Sequence, residues 1–366
     1  MLSSAPLSAG TRRGKLRDAS CLGCYMLPGG VHDPSPAIER ARLTESLGMG
    51  TAWLSERFDT KDLPSIAGAL TQVTQRVQIA AGVTPFGVRH PMVLASMGQT
   101  LQVLSKERFW FGFGRSASWR WRMYGYPPPT LQSMGDTAGI LRRLWAGETV
   151  SYDGPAGKFP ELRLVDRAST RPPPMLLAAI GPKTLALGGS HFDGVVLHPF
   201  LSADGVRRSF EIVRRAAENA GRDPASIRCV ATVVVAPDMT AAQAAHAIRA
   251  RGAGYLSLRG LGDMLAEANG WDPEDLARYR NHPTLVALAG RPADKNLPRE
   301  TLIELTYSMP EHWIPSTSAT GSAAQVAHRL HEYLDAGADD LLLHGATPEF
   351  LAGTVEAFAG EKRLWP

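Results

Sequence analysis

The chain reads as an α/β protein, a closed (β/α)8 TIM barrel with insertions, on three observations. Short apolar runs alternate with longer helical stretches, and the runs are apolar on both faces, as strands of a parallel sheet covered by helices must be. Prolines stand where helices would start, supplying a preset φ at positions that need no N–H. The segments ESLGMGTAWLSE at 45–56 and LDAGADDLLLH at 334–344 repeat one pattern of helix end, glycine, short link and apolar strand. Eight such units favour a closed barrel over an open doubly wound sheet.

Strand one is expected at 20–27, ending at Pro28-Gly29, with a helix at 35–48 closed by Gly48. Strand two at 51–54 leads to a helix at 64–73. Strand three at 77–82 leads through a Thr-Pro turn to a helix at 91–104, opened by His90-Pro91. Strand four, 108–113, reads Arg-Phe-Trp-Phe-Gly-Phe and precedes a helix at 130–146. Segment 147–173 breaks the rhythm, and its alternation around Gly154-Pro155 predicts an inserted β-hairpin. Strand five (175–179), a helix (182–190), strand six (194–198) and a helix (203–220) follow. Strand seven (228–236) and a helix at 240–252 come next. A second insertion, 255–320, reads as irregular, with short helices near 273–280 and 299–308. A helix at 321–336, strand eight at 339–344 and a helix at 348–358 complete the barrel. Residues 19–366 therefore form a single domain, and residues 1–18 are expected to be a disordered tail.

Hydrophobic content of 44% and charged content of 20% are those of an ordinary globular enzyme. The net charge of +4 is local, because Arg12, Arg13, Lys15 and Arg17 against Asp18 carry most of it. The body lacks the basic stripe of a nucleic-acid partner. No apolar run approaches the ~18 residues of a membrane span, and 1–18 lacks the apolar core of a secretory signal. Cytoplasm is the expected compartment. Cys21 and Cys24 share a strand rather than a helix N-terminus, and no second pair completes a zinc site, so both read as structural, as does Cys229.

In such barrels chemistry belongs to the loops after the strands. Those loops carry Glu56-Arg57, Gly82-Val83-Thr84, Gly114-Arg115-Ser116, Gly181-Pro182-Lys183-Thr184, His198-Pro199 and His344-Gly345. They contain no metal pattern, nucleophile elbow or Walker-type phosphate loop. The histidines are dispersed, and His328 and His331 on a helix are expected to face solvent. Gly112-x-Gly114-x-x-Ala117 has the spacing of a dinucleotide fingerprint, yet three prolines at 127–129 stop the long helix that motif requires. Gly181-Pro182-Lys183 at a helix start offers amides and a cation to an anion, against the plainer reading of an ordinary helix start. Trp119, Trp121 and Tyr124, interleaved with Arg115, Arg120 and Arg122, read as a lid or substrate wall.

In order and spacing, ESLGMGTAWLSERF, VQIAAGVTPFGVRHPMVLA, RFWFGFGRS, LWAGETVSYDG and PMLLAAIGPKTLALGGSHFDGVVLH resemble the luciferase-like monooxygenase superfamily. More narrowly they resemble its actinobacterial branch, which uses the deazaflavin coenzyme F420. The resemblance covers roughly 20–360. It implies a luciferase-like barrel, F420 at the C-terminal ends of the strands, and hydride transfer involving a small organic substrate. It also implies a homodimer. A non-prolyl cis peptide against the cofactor ring would fall at Gly82-Val83, beside Thr84, with Gly112 and Gly114 adjoining. The cofactor phosphate would be wrapped by Ala179, Gly181, Pro182, Lys183 and Thr184.

Two departures bear on the substrate. Sugar-phosphate dehydrogenases of the family carry Asp-His after strand two, where this chain has Glu56-Arg57. They carry a glutamate after the strand-four glycines, where this chain has Arg115-Ser116-Ala117. The aromatic segment 119–126 favours an apolar or aromatic substrate instead. The candidates for proton and charge handling are Glu56 as proton donor or acceptor, Arg57 and Arg115 as anion stabilisers, and His198 or His344 as acid/base. An FMN-dependent monooxygenase on the same barrel is the alternative. Deazaflavin disfavours that oxygen chemistry, because carbon replaces the nitrogen beside the peroxide-forming position. A non-catalytic flavin-binding barrel is a second alternative, against which the intact glycine loops count.

Overall fold

The computed structural model describes residues 14–365 except 30, 58–59 and 117. Eight parallel strands close on themselves: β1 (Leu22–Tyr25), β2 (Thr51–Leu54), β3 (Gln78–Ala81), β4 (Phe109–Gly114), β5 (Met175–Ala179), β6 (Gly194–Leu197), β7 (Arg228–Pro237) and β8 (Asp340–His344). Closure runs through the pairs Leu22 with Leu341, Val230 with Asp340 and Arg228 with Gly194. Inside the barrel each strand contributes to one compact cluster: Tyr25, Trp53, Ala80, Trp110, Leu176, Val196, Val230 and Leu342. Trp53 and Trp110 meet edge to face with centroids 6.3 Å apart, a favoured aromatic geometry. The other face of every strand packs on the helices in the main core.

The expected hairpin is present as Val150–Gly154 and Gly157–Leu162, paired antiparallel outside the barrel. The second insertion differs from expectation. It is largely helical, with helices at Leu261–Asn269, Pro273–Arg280, Pro283–Val286, Ala293–Asn296, Arg299–Leu305 and Trp313–Ser316. Their prolines sit at or beside helix starts, so residues that read as loop punctuation are helix openers. The expected helix at 240–252 is also broken. One turn (Ala241–Ala244) passes into a π turn (Ala245–Arg249) and then a helix Ala250–Ser257.

The expected tail of 1–18 does not hold where the chain is described. Residues 1–13 lie outside the described residues, but from Gly14 the chain docks on the C-terminus, with Arg17 N donating to Arg363 O at 2.7 Å. Arg17 is buried, pairs with Asp335 at 2.6 Å and lies 5.2 Å from the Trp365 ring. His331 corrects a second expectation: it is fully buried and stacked on Phe358 at 4.1 Å, whereas His328 is exposed. The three cysteines are buried. Desolvation pushes the Cys24 thiol up to about 12, as befits a structural residue. Among the described residues no helix is long and apolar enough to cross a membrane.

Candidate active site

At the C-terminal ends of the strands, Tyr25, Arg57, His198, Arg251, Tyr255 and His344 are each part-exposed. Next to the sealed interior cluster, that partial exposure marks a crevice.

Its floor is the loop after β3. Gly82-Val83 is a cis peptide, where the resemblance places it. The Tyr25 hydroxyl donates to the Gly82 carbonyl at 2.9 Å, tying the ends of β1 and β3 together. A Cβ on Gly82 would stand 2.8 Å from the Trp53 ring, so only glycine lets this loop settle on the interior cluster. A Cβ on Gly112 would come within 1.9 Å of the Ala81 carbonyl, and one on Gly114 within 2.5 Å of Val83 Cγ2. This corrects the reading of Gly112 and Gly114 as cofactor contacts: the faces where their side chains would stand are covered by Ala81 and Val83, and they support the bulge from behind. Thr84 is fully buried, and its hydroxyl has no hydrogen-bond partner among the described residues.

Two histidines stand at this end of the barrel, after β6 and at the end of β8. His198 Nδ1 lies 2.8 Å from the Pro199 carbonyl, which can only accept, so Nδ1 carries the proton and Nε2 the lone pair. Its backbone N–H donates to Ala179 O at 3.3 Å, and Tyr255 meets its ring edge-on at 4.8 Å. Burial lowers its pKa to about 4 against the opposing pull of Pro199, so the ring is neutral at physiological pH. His344 meets Tyr25 at 5.1 Å, and its Nδ1 is shielded from water with no partner among the described residues. Burial, then Arg251, Arg57 and His198 in turn, hold it well below the ordinary histidine value.

Arg251, Tyr255 and Lys61 had no place in the sequence reading. The π turn inserts one residue ahead of the helix Ala250–Ser257, rotating the residues downstream by about 100°. Arg251 and Tyr255, four apart, then share a face. Lys61 donates through Nζ to Leu27 O and, at 3.3 Å, to Gly29 O. Burial and then Arg57 lower it to about 8.

Other sequence candidates stand elsewhere. The Glu56 side chain is fully buried, and both its oxygens accept from Arg89, at 2.6 and 2.5 Å. Arg89 also reaches Asp62 at 3.4 Å. Glu56 is thus committed to a bidentate pair that ties the β2 loop to the β3 loop, which corrects its assignment as proton donor or acceptor. Arg115 is exposed, 5.5 Å from the Trp121 ring, and is not brought to the crevice. Trp121 Nε1 donates to Arg115 O at 2.6 Å, and the Trp119 side chain lies outside the described part of the structure.

The loop after β5 is corrected in part. Lys183 is exposed and lines an outer groove with Leu131, Leu187 and Ala216, so its side chain points away from the crevice. Pro182 has no N–H, and the amides of Thr184 and Leu185 both donate to Gly181 O at 3.0 Å, which leaves the Lys183 amide for a ligand. A Cβ on Gly181 would stand 2.9 Å from Met264 Sδ, so the helix Leu261–Asn269 packs directly over this loop.

Residues 18–340 match the luciferase-like monooxygenase family. The chain is 28% identical over 241 residues to a 5,10-methylenetetrahydromethanopterin reductase of Methanolobus tindarius, covering 64% of this chain and 70% of that protein. It is 26% identical over 223 residues to an F420-dependent hydroxymycolic acid dehydrogenase of Mycobacterium tuberculosis, a match spanning 57% of this chain and 61% of that one. Among solved structures, the coenzyme F420 dependent tetrahydromethanopterin reductase from Methanopyrus kandleri superposes with a TM-score of 0.76 at 19% identity. That superposition covers 95% of this chain and 100% of the other.

Proposed function

Because the chain belongs to the luciferase-like monooxygenase family, we propose that it is an oxidoreductase moving a hydride between coenzyme F420 and a small organic substrate. In the cell it would run as a reductase. Two of the three relatives named above have F420 in their own descriptions, which supports the choice of cofactor. The observation that carries the reading is the neutral imidazole of His198 against Tyr255, together with His344 against the Tyr25 that ties down Gly82. Hydride delivery to a carbonyl leaves an alkoxide that must gain a proton, and the reverse direction requires a base. His198, with Nδ1 fixed and Nε2 free as a lone pair, is built to take the hydroxyl proton in the oxidising direction. In the reducing direction Nε2 must first take a proton from water before passing it to the alkoxide. His344 Nδ1, buried without a partner, is placed to accept a hydrogen bond from a substrate hydroxyl or to give one to its oxygen.

The residues present suit a deazaflavin. Val83 and Thr84 would back its ring, with the orphaned Thr84 hydroxyl available to it, and Ala179 to Thr184 would meet its phosphate through the Lys183 amide. When bound, F420 supplies a two-electron hydride carrier; the protein supplies orientation and charge. Glu56 and Arg89 fix the two loops that flank the ring's place.

A fluorescence titration with F420 and, separately, FMN tests the reading. Saturable F420 binding with no FMN binding is expected. FMN binding alone would overturn it in favour of an oxygen-using enzyme with a partner reductase.

A further inference from the structure

Of the cations at the crevice, Lys61 is met by the Leu27 and Gly29 carbonyls, whereas neither Arg57 nor Arg251 has an ion-pair partner among the described residues. Arg251 Nη1 donates only to Ala247 O, at 3.2 Å, within its own helical segment, and lies 3.6 Å from where a Cβ of Gly345 would stand. Arg57 contributes backbone atoms to its own loop and makes no side-chain hydrogen bond among the described residues. The nearby carboxylates are spent or distant in role. Glu56 is closed by Arg89, Glu300 stands by His246, and Asp294 acts on Tyr255 from beside Gly254. Arg299, a further cation acting on Arg251, donates to His246 O at 2.6 Å.

Burial costs the Arg251 guanidinium its hydration, and Arg299 and Arg57 repel it. A long arginine side chain with no task turns its head to solvent. Arg57 and Arg251 are instead held among Tyr25, Tyr255, His198 and His344, four rings that give an apolar wall around a cationic end. The planar donor forks of arginine match the two oxygens of a carboxylate or the edge of a phosphate.

We propose that Arg57 and Arg251 are the seat of a substrate oxyanion, so that the molecule handled here is an organic acid with an apolar or aromatic body. The chemistry done on it rests on the oxidoreductase reading above; the binding does not. The anionic group lies against the arginines while the body of the molecule lies along the tyrosine and histidine rings.

The test is calorimetric binding to the cofactor-free protein with benzoate, phenyl phosphate and benzamide, which share an aromatic body and differ in head group. At least one of the two anions is expected to bind at least about tenfold more tightly than benzamide, and which of them does so separates carboxylate from phosphate. Arg57→Gln and Arg251→Gln should each weaken that anion about tenfold, with Arg251→Lys intermediate, while F420 affinity stays at the wild-type value. Equal binding of benzamide, no binding of either anion, or anion binding indifferent to both substitutions would overturn the proposal. So would a loss confined to F420, since the arginines would then belong to the cofactor. If F420 does not bind the wild type but an anion binds through both arginines, the oxidoreductase reading falls and the anion seat stands.

Discussion

Arg228 at the floor of the barrel and Arg251 at its mouth are both withdrawn from water, yet only the first has a carboxylate to meet it. Arg228 opens β7 and Asp340 opens β8, and one edge of the guanidinium, Nε and Nη2, donates to both oxygens of Asp340, with the Arg228 head 5.7 Å from the Trp110 ring. At the floor the Arg228–Asp340 pair is complete, while Arg108, just before β4, is held by Thr74 and the Val77 carbonyl rather than by a carboxylate. At the mouth, Arg57, Arg251 and the Nδ1 of His344 are left unanswered among the described residues. An arginine closed by its carboxylate at one end, and one with no such partner among the described residues at the other, separate stability from binding along a single axis. That division is the one general to this architecture, in which chemistry gathers at the C-terminal face.

The largest effect should come from the floor. Arg228→Leu leaves Asp340 buried without its partner and should cost about 3–5 kcal/mol of stability, read as a shift in the urea midpoint. Arg251→Gln should change it by less than about 1 kcal/mol, because no pair is broken. Equal losses would show that the mouth arginine is also part of the framework.

The histidines come next. His198 is lowered from about 6.5 to about 4, and His344 lies well below its ordinary value too. Between those values the unfolded chain binds protons that the folded chain refuses, so stability rises with pH across this window and is lost as pH falls through it. For His198 alone the loss from pH 6.5 to 4 is on the order of 3 kcal/mol. Burial also lowers His331 at the far side of the barrel, so His198→Gln with His344→Gln should flatten the pH dependence of the urea midpoint only partly. An unchanged slope would mean that neither crevice histidine is kept neutral by the fold.

Much of this barrel is legible before folding. The strand at 175–179 is legible because a proline run precedes it and Gly181-Pro182 comes after it, leaving one reading for Met175–Ala179. The burial of His331 runs against expectation, although the signal for it stands in the sequence. Ala327, Leu330 and Leu334 lie four, one and three positions away, which puts His331 on the apolar stripe of its helix. The crevice is harder, since Glu56 meets an arginine 33 residues later and only the closed fold brings them together. Arg251 and Tyr255 are hidden by the π turn, which breaks the 3.6-residue period just where they enter, and by an insertion whose proline-opened helices read as loop.

Lys183 gives the smallest effect. A lysine beside a glycine and proline at a helix start looks like a phosphate ligand, but the side chain at that position projects from the outer face of its helix. There it lines a groove formed with Leu131, Leu187 and Ala216, exposed to water and clear of the crevice. Any interaction it makes with a ligand at the mouth is long and screened. Lys183→Ala should therefore change F420 affinity by less than about 1 kcal/mol, and the titration of the wild type repeated on this variant measures it. A loss well beyond that would return the lysine to the mouth and add a further cation to Lys61, Arg57 and Arg251.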